Sequence, residues 1–280
     1  MSLRKIYYGL SPNLRLLARK VFYFPVDLFE TIFSKREKYE PKKGDIYIGS
    51  GDFIGQGNHQ LDLLKKYAGI QHTHKVLDVG SGIGRTAVAL TKYLNPQGQY
   101  EGFDVVEKGV VWCQEKIHTD FPNFNFQYVP LNNDLYNDTP QKATDFKFPF
   151  QDNQFDVVFL FSVFTHMQIE EIDHYLSEIS RVLKPNGKCL STFFVYNDEN
   201  EAQIGQSNKF NFPVAEEGYR LMDANVKSAN IAIESKKLQS MLDGKNLELS
   251  KTVEGYWKDF IDKGTENSFQ DVVVLKSVDN

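Results

Sequence analysis

Cysteine is almost absent from this 280-residue chain. Only Cys113 and Cys189 occur, too few for a disulfide framework, and both read as packing thiols of a protein in the reducing cytoplasm. Long apolar runs are missing too. None approaches the roughly 18–20 residues needed to span a bilayer. Positive charge does not prevail: 32 Lys and Arg face 37 Asp and Glu, a net of −5. A nucleic-acid partner is therefore not expected, because backbone binding requires a basic stripe. Histidine is sparse, and His72 and His74 have no third ligand at metal spacing, so no metal site is expected. No internal repeat appears. What remains is 41% hydrophobic and 25% charged, enough to bury one large core with an appendage.

The charge is unevenly divided. Residues 1–44 hold ten Lys and Arg against four Asp and Glu, a net of +6, and the remainder carries −11. Within this basic arm (residues 1–45), Ser11-Pro12 reads as an N-cap and first helical residue. Leu14, Leu17, Val21 and Phe24 then recur at helical spacing, with Arg15, Arg19 and Lys20 outside that stripe. Pro25 is expected to stop or kink this helix and to start another bearing Val26, Phe29, Ile32 and Phe33. The arm has two readings: a cationic amphipathic element for a membrane surface or partner, or a helical pair packed on the main domain. Residues 46–57 follow, with four glycines around Tyr47 and Phe53. They suit either a hinged lid over a ligand or a plain connector, and as a lid Phe53 would touch substrate.

The rest of the chain is organised around Lys75 to Arg85, KVLDVGSGIGR. An apolar strand breaks into Gly80, Gly82 and Gly84, and Thr86 to Leu94 continues with helical spacing. Strand, glycine turn and helix form a nucleotide-binding corner, where glycine lets the backbone bend and approach a ligand. The spacing is G-x-G-x-G, not the G-x-G-x-x-G of dinucleotide dehydrogenases, and Asp78 stands in the strand two residues before the first glycine. A second strand, Gln99–Asp104, ends in an acid twenty residues after Gly84, where a carboxylate can hold both ribose hydroxyls of an adenosine.

Further strands are expected at Phe124–Val129, Phe155–Phe161 and Lys188–Val195, with a helix carrying Ile169, Ile172, Leu176, Ile179 and Leu183 between the last two. Residues 198–228 are polar and without regular pattern, the natural place for an insertion covering substrate. Ile231 to Leu242 reads as helix, and Leu247–Tyr256 and Gln270–Lys276 as two late strands.

The set D-x-G-x-G-x-G followed by an acid closing the next strand resembles the cofactor motifs of class I S-adenosylmethionine-dependent methyltransferases. RVLKPNGKCLSTFF resembles the helix–turn–strand that follows their fourth motif. Ser162 to Met167, SVFTHM, narrows the resemblance to a bacterial small-molecule subgroup. The resemblance implies a Rossmann-like α/β sheet of seven strands ordered 3-2-1-4-5-7-6, strand 7 antiparallel, over residues 46–280. It implies S-adenosylmethionine as methyl donor and S-adenosylhomocysteine as product. Asp78, Gly80, Ser81, Gly82 and Gly84 would then shape the cofactor turn, Asp104 and Val105 the ribose side, and Leu131 and Asn132 the adenine border. Phe161, Ser162 and Phe164 would line the transfer site, with Tyr196 beside the acceptor.

His166 is the candidate general base, although a histidine at such a turn can instead serve only to bond backbone. No Asn-Pro-Pro-Tyr or Pro-Cys motif for nucleic-acid bases is present, so the expected acceptor is a small or medium-sized molecule: a sugar, a lipid-linked metabolite or a natural-product intermediate offering a hydroxyl or amine. The rival reading is a non-catalytic module that binds the same cofactor.

Overall fold

The computed structural model describes residues 12–33, 35–47, 49, 51–133, 139–264 and 268–278. Its centre is a seven-stranded sheet built from β1 (Lys75–Val79), β2 (Gln99–Asp104), β3 (Phe124–Tyr128), β4 (Phe155–Leu160), β5 (Leu183–Phe193), β10 (Leu247–Val253) and β11 (Asp271–Ser277). The spatial order is β3-β2-β1-β4-β5-β11-β10. The first five strands run parallel, and β11 lies antiparallel to both β5 and β10. The expected order 3-2-1-4-5-7-6 is therefore found, with β10 and β11 as its sixth and seventh members.

Both faces of the sheet are covered, which is why β1 and β4 are nearly continuous apolar runs. One face packs on α2 (Phe53–Leu63), α3 (Arg85–Thr91) and α4 (Glu107–Cys113), and the other on α5 (Ile169–Val182) and α6 (Ser235–Leu242). Helix α5 buries Ile172, Leu176, Ile179 and Val182 along one stripe. Its start is a capping box in which the Glu171 carboxylate accepts the Gln168 N–H at 2.7 Å.

Three expectations need correction. Pro25 does not divide the arm: α1 runs unbroken from Pro12 to Ile32. The proline is on the exposed side of the helix, where water can satisfy the carbonyl that loses its N–H partner. Ile231–Leu242 is not all helix. Ile231–Glu234 is strand β9, paired with β8 (Tyr219–Leu221) and β6 (Val195–Tyr196), and only Ser235 onward is helical. The β-branched residues at 231 and 233 favour the pleated partner over the helical period. Residues 198–228 are likewise not patternless, since β7 (Val214–Glu216) and β8 form a hairpin there. Together β6, β9, β8 and β7 make a second, four-stranded sheet. Its core is aromatic: Phe194 and Phe212 each meet Trp257 edge-on and lie tilted against each other.

Candidate functional site

The glycine turn leaves β1 beside β2 and is tied to it directly. The N–H groups of Gly80 and Ser81 both donate to the Phe103 carbonyl, at 2.9 and 3.0 Å. Gly80, Gly82 and Gly84 all have positive φ (79°, 57° and 77°), a backbone that side-chain-bearing residues adopt only with strain. A Cβ on Gly80 would also come within 2.4 Å of the Val163 side chain, whereas a Cβ on Gly82 would meet nothing within 4 Å. Gly82 thus leaves open space where a ligand can approach the backbone.

Asp78 and Asp104 point to the same side of the sheet and are buried. The Asp78 carboxylate accepts the Tyr100 hydroxyl at 2.7 Å. Burial pushes its pKa up to about 7, against the pull of that hydrogen bond. Asp104 accepts Gly82 N–H on one oxygen and Val106 N–H on the other, each at 2.8 Å. Burial raises it to about 6 despite these donors. Each of its oxygens still has a second lone pair, so a vicinal diol can be accepted without displacing the backbone bonds.

One cavity gathers these groups. Of the residues expected to hold the cofactor, Asp78, Gly80, Ser81, Gly82, Asp104, Val105, Leu131, Asn132, Phe161 and Ser162 all line it, together with the candidate base His166. Ser162 closes β4 with φ of 59°. It is held there by its N–H donating to Thr192 Oγ1 at 2.7 Å and its hydroxyl bonded to Gln270 at 2.8 Å. His166 Nδ1–H donates to the Ser228 carbonyl at 2.9 Å, so the 198–228 insertion reaches the site through this ring. Burial lowers the His166 pKa, which keeps the imidazole neutral at pH 7.

Four expected residues stand outside the lining. Gly84 faces α4, where an added Cβ would strike Cys113 Sγ and Ile117 at 2.8 Å; its part is close helix packing. Phe164 is buried in the main core, stacked on Phe193, because the turn at Ser162 directs it inward. Phe53 begins α2, not a loop, and lies buried beneath the Arg85 guanidinium. Tyr196 is buried in the aromatic core of the small sheet.

Other lining residues escaped the sequence reading, among them Gln60, Arg85, Thr86, Glu171 and Tyr175. Gln60 and Thr86 bond to each other at 2.7 Å across α2 and α3. Tyr100 and Gly102 were also missed, though strand period could have found them: Tyr100, Gly102 and Asp104 share one face of β2. A Cβ on Gly102 would lie 2.8 Å from the Tyr100 hydroxyl, so this glycine makes the room through which Tyr100 reaches Asp78.

The lining fits an adenosine-bearing amino acid on its own chemistry. Ser81 Oγ is buried at the cavity with no partner among the described residues, and the open cradle at Gly82 lies beside the Asp104 diol acceptor. Among the described residues no group of three His, Cys, Asp or Glu could hold a metal ion. None of the described helices is long and apolar enough to cross a membrane.

Comparison with known proteins agrees with this geometry. A family model described as a methyltransferase domain matches residues 70–246. The chain belongs to the class I S-adenosylmethionine-dependent methyltransferases, for which S-adenosylmethionine is the donor and S-adenosylhomocysteine the product. It is 26% identical over 146 residues to a 2-phytyl-1,4-naphtoquinone methyltransferase of Nostoc sp., covering 51% of this chain and 58% of that one. It is 31% identical over 147 residues to the ubiquinone/menaquinone biosynthesis C-methyltransferase of Cupriavidus taiwanensis, covering 51% and 54%. The chain thus spans little more than half the length of these relatives. In fold it is similar to the [4+2]-cyclase SpnF, with a TM-score of 0.56 at 14% identity over 95% of this chain and 97% of that one.

Proposed function

We propose that this protein transfers a methyl group from S-adenosylmethionine to a small or medium-sized acceptor bound at the Phe161–His166 end of the cavity. The observation that carries this reading is the single cavity joining Asp104, the glycine turn and the strand end at Ser162. In it a diol acceptor, an open backbone cradle and a transfer site lie in sequence.

The donor supplies a methyl group on a sulfonium, which already carries its leaving group. The protein's work is alignment and exclusion of water, worth up to roughly 7–11 kcal/mol. Asp104 fixes the ribose through both oxygens. Asp78, with Tyr100 beside it, and the Ser81 hydroxyl orient the amino-acid end. Phe161, at the mouth of β4, offers a ring face to the positive sulfonium, worth on the order of 0.5–2 kcal/mol. Neutral His166 can take the proton released by a hydroxyl or amine acceptor.

The acceptor class stays within sugars, lipid-linked metabolites and natural-product intermediates. A lipid-linked acceptor is supported by the apolar lining from Val163 and Met167 and by the phytyl-bearing quinone named for one relative. The rival reading is a non-catalytic module that binds the same cofactor.

The test begins with calorimetric titration of S-adenosylmethionine and S-adenosylhomocysteine into wild type and Asp104→Ala. Micromolar binding to wild type and a loss of about 100-fold in the variant is expected, since two charge-assisted bonds disappear. No binding to folded, cofactor-free wild type would refute the proposal. Turnover of any member of an acceptor panel then separates enzyme from binding module.

A further inference from the structure

Helix α1 is mounted inside out. At 100° per residue, Leu14, Leu17, Val21, Phe24, Leu28 and Ile32 form a stripe, and Phe22 and Phe29 widen it to about 160° of the helix surface. In α5 the equivalent stripe is buried. In α1 it faces solvent along the whole helix, with Val21 68%, Phe22 75% and Ile32 65% exposed. Monomeric proteins rarely leave so large a contiguous apolar patch uncovered.

The opposite, polar side of α1 is the one bound to the protein. The Asp27 carboxylate is buried and accepts the N–H of Lys43 at 2.7 Å and of Gly44 at 2.9 Å. Arg19 Nε donates to the Lys43 carbonyl at 3.1 Å, Lys20 pairs with Asp45 at 2.8 Å, and Lys43 pairs with Glu30. Gly44 has no Cβ in the way: one there would come within 3.0 Å of both Asp27 Oδ2 and the Lys20 backbone. Burying the apolar stripe instead would require rolling the helix and stripping a buried carboxylate of two backbone donors, which is unfavourable. The fold therefore presents this face outward by construction.

We propose that the apolar face of α1 docks the protein onto the surface of an anionic lipid bilayer. Charge selects this occupant. The first 44 residues carry +6 and the remainder −11, so a negative surface draws the arm inward and turns the acidic body away. Two copies meeting on this face would bring two arms of +6 together, which opposes a dimer. A coiled-coil partner needs a narrow seam, whereas this face is broad, carries several phenylalanines and is flanked by Lys35 and Arg36, the layout of a helix lying in the lipid interface. No described helix is long and apolar enough to cross the bilayer, so α1 lies on it.

The docked helix would be one short segment from the cavity. Lys43 and Gly44, gripped by Asp27, lead to Tyr47, whose hydroxyl packs over Gly109 beside the Gly82 carbonyl, and to Gly49, set against the guanidinium of cavity-lining Arg85. Arg85 has its pKa lowered by burial and then by the charge of Arg19 on α1. The inference does not depend on the methyl-transfer reading.

The test is co-sedimentation of the full chain with vesicles of phosphatidylcholine alone and of equal phosphatidylcholine and phosphatidylglycerol. Wild type is compared with the triple variant Leu17→Ser, Val21→Ser, Phe24→Ser. All three side chains are exposed, so the variant should keep the wild-type Tm. Wild type should bind the anionic vesicles, less well as salt rises, and the variant should bind about tenfold more weakly. As a second readout, Phe22→Trp should show a blue shift of fluorescence on adding anionic vesicles. Absence of wild-type binding would overturn the proposal, as would equal binding by the variant. Self-association in sedimentation velocity that the variant abolishes, without vesicle binding, would assign the face to a second copy and also overturn it.

Discussion

The glycine corner and the corner beneath the small sheet each hold a buried aspartate, and they treat it in opposite ways. Asp271 is fully buried and saturated. One oxygen accepts the Val195 N–H at 2.7 Å and the Trp257 indole at 2.9 Å; the other accepts the Gly255 N–H at 2.7 Å, with Lys258 at 3.2 Å. Asp78, nearly as buried, has the Tyr100 hydroxyl alone as its hydrogen-bonding side-chain partner among the described residues. A structural acid has its lone pairs filled by the fold. An acid at the ligand site is left short of donors, and the shortfall shows as a carboxyl held near neutral pH. Burial raises the pKa of Asp271 too, but four local donors oppose it, whereas one hydrogen bond opposes it at Asp78.

The sharpest way to break this contrast is Asp271→Ala. It strands three N–H groups and leaves Lys258, itself 3% exposed, without its buried counter-ion. A loss of about 3–5 kcal/mol in urea unfolding is expected, with cofactor affinity of the folded protein within about threefold of wild type. Asp104→Ala should show the reverse pattern. Its cost in stability should be about 1 kcal/mol beside the large loss of affinity, both readable from one preparation by melting and calorimetry.

Asp78→Asn tests the shortfall through pH. The folded pKa of about 7 lies above the roughly 3.9 of an unfolded aspartate, so between those values the native state keeps a proton that the unfolded state releases. Stability from this group therefore falls as pH rises from about 4 through 7 and levels off above. Wild-type Tm should drop more steeply between pH 5 and pH 8 than that of Asp78→Asn. Parallel curves would place the ionisation elsewhere.

The smallest effect concerns the point where the corners touch, the Ser162 hydroxyl on Gln270, next in sequence to Asp271. Ser162→Gly relieves a positive φ but gives up that bond. The two terms are of similar size, so chemical denaturation should find a net change within about 1 kcal/mol.

These corners also differ in how far they could be read from sequence. The glycine corner is local: Asp78, Gly80, Gly82 and the turn between them lie within five residues, and Asp104 ends the adjacent strand. Local spacing is enough to find them, whereas the order of the main sheet rests on the family resemblance those motifs carry. The other corner is assembled from Val195, Gly255, Trp257 and Asp271, whose spacing carries no period. Residues 231–234 read as helix by their own pattern, because their partner strand, Tyr219–Leu221, lies in a stretch too polar to suggest one. Phe164 and Tyr196 looked like site residues by position. Their orientation was set by the Ser162 turn and by the small sheet's aromatic core, neither of which short-range pattern encodes. Pro25 misled for a related reason, since its cost depends on whether the lost carbonyl partner faces water.

Phe193 and Phe194 are neighbours in the chain but belong to different cores, the first under the main sheet and the second under the small one. The same stretch of backbone serves as the end of β5 and leads at once into β6. Sliding one sheet over the other would pull both rings from their pockets together, so a single peptide bond couples the packing of the two sheets.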